Sequence, residues 1–169
     1  MILPYLEAIN SLLEEIVTKD KTSADNVEKI IRNLSEKHKI PQKNIIIDSD
    51  GVGQYLSHYM KGVQPFVNNS KSLNNENYKN LKTQCYYKLA EQINAANIWI
   101  KCNDTDLRNK IIEELEVIRR KNMDMDGKLA ILSKKEMKAT LGHSPDYADA
   151  LMMRMRYMFK NNMGIVAWR

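Results

Sequence analysis

Cysteine is nearly absent from the chain: Cys85 and Cys102 are the only two in 169 residues. Neither has a histidine or a second cysteine at ligand spacing, which argues against a zinc cluster and a disulfide framework and leaves two reduced thiols. Glycine and proline are scarce, at six and four residues, which excludes collagen-like and low-complexity chains. No run of about 18 apolar residues occurs. The opening MILPYLEAINSLLEE also lacks the basic start, apolar centre and small-residue cleavage site of a signal peptide, so a soluble, cytosolic protein without membrane contact is expected.

Several motifs are missing as well. Gly51-Val52-Gly53 lacks the third glycine of a dinucleotide fingerprint, and no Walker phosphate loop is present, which makes a nucleotide-binding domain the weakest reading. Asp48-Ser49-Asp50-Gly51 starts like a calcium loop, but its glycine comes fourth and its twelfth residue is Tyr59; Asp124-Met125-Asp126-Gly127 fails in the same way. His38, His58 and His143 stand in no recognisable pairing with a nucleophile, so triad chemistry has no support.

What remains is ordinary in amount: 43% hydrophobic and 28% charged residues, enough for one domain that folds unaided. The charge is +5, compatible with a polyanionic partner without identifying one. Of the ten methionines, six lie at or after Met137, where they serve better as fillers of core gaps than as soft metal ligands.

Hydrophobic spacing then places the elements. Leu6, Ile9, Leu13 and Ile16 predict an amphipathic helix over 4–19, and Val27, Ile30, Ile31 and Leu34 a second, starting near Thr22-Ser23. Asn44 to Asp48 is a short run of β-branched residues, a strand covered on both faces, which makes the class α/β. The Gly51-Val52-Gly53 turn leads into a short helix, followed by a weaker strand at 62–67 that Pro65 confines to an edge. Residues 68–80 are polar and without period, a surface loop. A helix from Tyr78 to about Ala95 carries Leu81, Cys85, Leu89 and Ile93, and another, capped by Asp104 or Thr105, carries Leu107, Ile111, Ile112, Leu115 and Ile118.

Asp126-Gly127 signals a tight turn into a strand at 129–132. Ser133 and Glu136 then form a capping box. Ser144-Pro145-Asp146 starts a last helix, with Ser144 as N-cap, that should reach about Lys160. With no internal repeat and no linker, residues 1–169 form a single domain, a helical segment at 1–39 preceding a core at 40–169.

Three acids and a group of lysines stand out. Asp48 ends a strand, where α/β folds open into crevices, although it or Asp50 could equally cap the next helix. Asp149 sits beside the apolar stripe of Ala148, Leu151, Met152, Met155 and Phe159; a carboxylate there is costly unless paired or bound to metal. Asp146 lies one turn earlier on the same face, where the helix dipole alone favours an acid. Lys134 and Lys135 occupy a first turn, where the dipole disfavours cations; a phosphate backbone would explain them, and so would simple solvation.

In order, IIIDSDGVG at 45–53, VQPFVNNS at 63–70, NYKNLKTQCYYKLAEQIN at 77–94, EEL at 113–115, KLAILSKKEMKATLG at 128–142 and SPDYADALMM at 144–153 resemble the C-terminal nuclease domain of tailed-phage terminase large subunits. The resemblance runs from about Ile40 to Tyr157 and implies a ribonuclease-H-like mixed sheet flanked by helices. It implies an endonuclease that cuts double-stranded viral DNA during genome packaging in the bacterial host's cytoplasm. Two ions, Mg²⁺ or Mn²⁺, would be held by an acidic cluster converging from separate elements, activating the attacking water and stabilising the leaving oxygen.

By this resemblance Asp48 matches the second catalytic and metal-binding acid, Asp149 the acid of the last helix, and Asp146 a neighbour that assists. Lys134 falls in the SK motif, and it, Lys135 and Lys138 would face DNA. Implied partners are the terminase ATPase domain, the small terminase subunit and the portal. The family's first acid, on an opening strand, has no counterpart among Glu7, Glu14, Glu15 and Asp20, which stand in no strand pattern. The expectation is therefore an N-terminally incomplete nuclease domain. The alternative is an inactive packaging component that binds DNA or protein, or pairs with its own copy through an uncovered sheet edge.

Overall fold

The computed structural model describes residues 10–12, 24–50, 52–121 and 126–162. The chain divides into two compact units: Glu15–Ser70, and Met1–Glu14 together with Lys71–Arg169.

In the first of these units, helix α1 (Ala24–Lys37) carries the predicted apolar stripe and runs to Lys37, just ahead of Pro41. A 3-10 turn at Gln42–Asn44 then leads into strand β2 (Ile46–Asp48). Helix α2 (Val52–Tyr59) follows the glycine turn. Strand β3 (Gln64–Phe66) returns parallel to β2, with Pro65 opposite Ile47 and Phe66 opposite Asp48. Among the described residues β3 pairs on one side only, as its proline requires. Gly62, at φ +95°, makes the left-handed turn into β3 that a residue with a Cβ adopts at a cost. The core beneath the ladder is Ile47, Leu56, Met60 and Val63, with Val27, Ile31 and Ile45 packed against it.

The other unit is built on three helices: α3 (Leu81–Asn94), α4 (Thr105–Glu116) and α6 (Asp146–Arg154), with α6 packed on both α3 and α4. Leu81, Cys85, Leu89, Ile111, Met137, Ala148, Met152 and Met155 are buried. Met137, Met152 and Met155 fill this core, and Cys85 lies within it, its thiol pushed up to about 12 by burial. Strand β1 (Asn10–Leu12) pairs parallel with β4 (Trp99–Lys101), and β5 (Arg120–Lys121) pairs antiparallel with β6 (Ala130–Ile131). Helix α5 (Lys134–Leu141) begins on the predicted capping box and ends at Gly142 in the left-handed region.

Four expectations are corrected. Asn10–Leu12 is a strand, not the middle of a helix, because it finds a parallel partner in β4; the rest of 4–19, with Glu7, Glu14, Glu15 and Asp20, lies outside the described residues. On α3 the buried face includes Thr83, Gln84, Tyr86 and Gln92, and Ile93 is exposed. The polar members are accommodated by bonding: the Gln84 side chain donates to the Leu73 carbonyl and accepts from the Leu73 N–H, closing the polar loop onto the helix. At α6, Pro145 takes the N-cap position and no local side chain caps the helix. Finally, α6 ends at Arg154, and the chain continues to Asn162 as a 3-10 helix.

Candidate metal and nucleic-acid site

Each acid singled out by sequence is positioned by its own element. Asp48 is the last residue of β2, and the Ser49 N–H donates to the Phe66 carbonyl, carrying the ladder past it. Asp48 Oδ1 accepts from the Asp50 N–H at 3.0 Å, an Asx turn that starts the chain toward α2. The Asn68 amide, just beyond β3, donates to Asp48 Oδ1 at 3.1 Å and to Asp50 Oδ2 at 2.7 Å. Two carboxylates thus share one neutral donor, with no ion pair to a cation among the described residues.

Asp149 is held differently. It lies in the first turn of α6, its side chain 14% exposed, and the Lys82 ammonium of α3 meets Oδ1 at 2.7 Å. The Tyr86 hydroxyl donates to the same oxygen at 2.5 Å. Lys82 and Tyr86 are one turn apart on α3, which brings both to the acid; the ammonium also stands 5.7 Å from the Tyr86 ring centroid. Burial, the charge of Asp149 and the hydrogen bond to it raise the Tyr86 pKa far above its ordinary value, so the phenol remains a donor. Asp146 is exposed in the same turn.

The start of α6 is fixed from another element. Glu114 of α4 is almost fully buried, and its Oε2 accepts from the Ala148 N–H at 2.9 Å. Burial raises its pKa, opposed by hydrogen bonds from the Ala148 and Tyr147 N–H groups and by His143, whose Nδ1 is 3.8 Å from Oε1. Glu114 therefore serves as the cap that Ser144 was expected to provide, reaching the amides of α6 across the fold. The sequence signal for it was a glutamate three residues after Ile111, on the buried stripe of α4.

Lys134, Lys135 and Lys138 are exposed on α5. The first turn of α5 is satisfied by the capping box, and Glu136 also accepts from Lys121 of β5 at 2.7 Å. Lys121 and then Ser133 hold the Glu136 carboxyl down at about 2.

Asp146 and Asp149 thus share one turn with Lys82, Tyr86 and Glu114 around them, while Asp48 belongs with Asp50 and Asn68 in the other unit. Among the described residues no group of three or more His, Cys, Asp or Glu is gathered as a metal site. The donors are nonetheless all carboxylate oxygens, the chemistry that suits hard divalent ions such as Mg²⁺ and Mn²⁺. No described helix is long and apolar enough to cross a membrane.

The fold these elements define is α/β and of the ribonuclease-H-like type found in terminase nuclease domains. Among solved structures the chain is similar to forms of the nuclease domain of the large terminase subunit gp2 of bacterial virus Sf6. One form matches at TM-score 0.61 and 24% identity, over 78% of this chain and 70% of that chain. A mutant solved with manganese and beta-thujaplicinol matches at TM-score 0.65 and 23% identity, over 85% of this chain and 75% of that chain. A mutant solved with calcium matches at TM-score 0.60 and 25% identity, over 78% and 70%. No family profile and no curated relative matches the sequence.

Proposed function

We propose that the chain is a terminase-type nuclease domain that hydrolyses phosphodiester bonds of double-stranded DNA with divalent metal ions. The observation that carries this reading is the fold, shared with a nuclease domain solved with manganese and with calcium, together with Asp149 at 14% exposure in the N-terminal turn of α6. By the sequence resemblance, Asp48, Asp146 and Asp149 are the proposed catalytic and metal-binding acids; Asp50 lies beside Asp48. The bound ions would activate water and stabilise the leaving oxygen.

The chain's own residues supply the rest. Tyr86 and Lys82 fix the rotamer of Asp149, and Glu114 fixes the backbone that carries it. Lys134, Lys135 and Lys138 offer three cations to the phosphates of DNA, which position a duplex without reading its sequence. The work belongs to genome packaging, beside an ATPase domain, a small terminase subunit and a portal, with the single domain 1–169 as the nuclease part.

A second reading has its own support. An acid already satisfied by an ammonium and a phenol is also what a structural ion pair looks like, as in an inactive packaging component. Cleavage of supercoiled plasmid in Mn²⁺ separates the two. Wild type should nick and linearise the plasmid and Asp149→Asn should not; equal cleavage by both, or none by either, would contradict the nuclease.

A further inference from the structure

We infer that the exposed face of α2 is a stacking platform for an unpaired DNA strand, with Tyr55 and Tyr59 as its rings and a group of lysines at its far end. The inference deepens the nuclease reading above by naming a second form of DNA for the unit that carries Asp48, and every residue it uses lies in that unit.

Leu56 of α2 and Met60 just after it are buried in the core beneath the β2–β3 ladder, which turns Gln54, Tyr55, His58 and Tyr59 outward. Tyr55 is 64% exposed and Tyr59 58%, so neither ring packs into the core. Four residues apart on one helix, they stand on the same side, about 6 Å apart along its axis. Two flat, neutral rings in such a row offer successive nucleotides one ring each.

The charges at the two ends of α2 are opposite. The helix starts just beyond the Asp48–Asp50 turn and runs back toward the start of the ladder, where the Gln64 N–H donates to the Ile45 carbonyl at 2.8 Å. There Gly62 stands against the Gln42 side chain, which brings Lys61 and Lys43 to one end of the unit, and Lys37 and Lys39 precede Gln42 at the end of α1. All four lysines are exposed. Segments 33–45 and 54–66 hold a single acid, Glu36, against these four lysines and two histidines, His38 and His58. A polyanion fits the cationic end and bases fit the rings. Only an unpaired strand presents both, since a duplex keeps its base faces stacked inside, and a strand held along α2 leads toward Asp48.

Fluorescence anisotropy of a labelled oligothymidylate with the full chain, in EDTA so that nothing is cut, reads the platform. Tyr55→Ala and Tyr59→Ala should each weaken binding roughly tenfold. Tyr55→Phe and Tyr59→Phe should stay near wild type, because the ring remains. Wild type should bind an abasic strand of the same length as weakly as the doubly substituted alanine variant binds oligothymidylate. Lys43→Gln and Lys61→Gln should weaken both strands alike and flatten the salt dependence.

Equal binding of the abasic strand and oligothymidylate by wild type overturns the platform without needing any variant to fold. Unchanged affinity in both alanine variants overturns it too and leaves the tyrosines to a protein partner. Tighter binding of oligouridylate gives the face to RNA and overturns the assignment to DNA. The platform and the nuclease fail separately: Mn²⁺-dependent plasmid cleavage without ring-dependent strand binding overturns the platform alone, and ring-dependent binding without cleavage overturns the nuclease alone.

Discussion

Asp48 and Asp149 are both carboxylates at the ends of regular elements, and the protein treats them in opposite ways. Asp149 is withdrawn from water and answered by a cation and a phenol on α3. Asp48 shares one neutral amide with Asp50, and its remaining bond is to the backbone of its own turn. Burial explains the difference. A carboxylate at 14% exposure needs compensation built into the fold, while one at the edge of a ladder can leave its charge to solvent or to an ion from outside. Compensation inside the fold ties Asp149 to the stability of its unit, and Asp48 carries no such tie.

The largest expected effect sharpens that contrast in stability. Asp149→Ala strands the Lys82 ammonium and should cost about 3 kcal/mol, whereas Asp48→Ala should stay within about 0.5 kcal/mol. Urea titrations of the two variants measure it, and equal losses would break the comparison. Next, Glu114→Ala removes the remote cap and leaves the Ala148 N–H buried without a partner. A loss of about 1–3 kcal/mol is expected in the same titration. Tyr86→Phe keeps the Lys82 pair and drops one bond to a charged oxygen, for about 1.5 kcal/mol.

The smallest effect is in pH. Glu136 has its folded pKa lowered from 4.5 to about 2, so the stability it contributes is present above pH 4.5 and fades as pH falls toward about 2. Thermal melts of wild type should therefore decline over that acid window more steeply than those of Glu136→Gln.

What the sequence made legible follows the range of the interactions. The strand ending at Asp48, the edge strand at Pro65, the Asp104 cap and the Ser133–Glu136 box are all written within a few residues, and each forms as its local chemistry demands. Strands β1, β4 and β5 were not legible, since two or three residues show no period and exist only through partners elsewhere. The same applies at the candidate site. Asp149 could be recognised as an acid too close to the core, but its partners lie 63 residues away at Tyr86 and further at Lys82. Ser144 looked like the cap of α6 because the local pattern was right. Glu114, from another helix, does that work instead, and only its place on the apolar face of α4 could have marked it.

The nuclease reading is tested most directly at Asp48, because there chemistry can be removed without disturbing what holds the fold. Asp48→Asn keeps an oxygen for the Asp50 N–H and should melt within a degree or two of wild type, a shift in keeping with a change of about 0.5 kcal/mol or less. Its Mn²⁺-dependent cleavage of supercoiled plasmid should nonetheless fall to background. A folded Asp48→Asn variant that cleaves as wild type does would contradict the account.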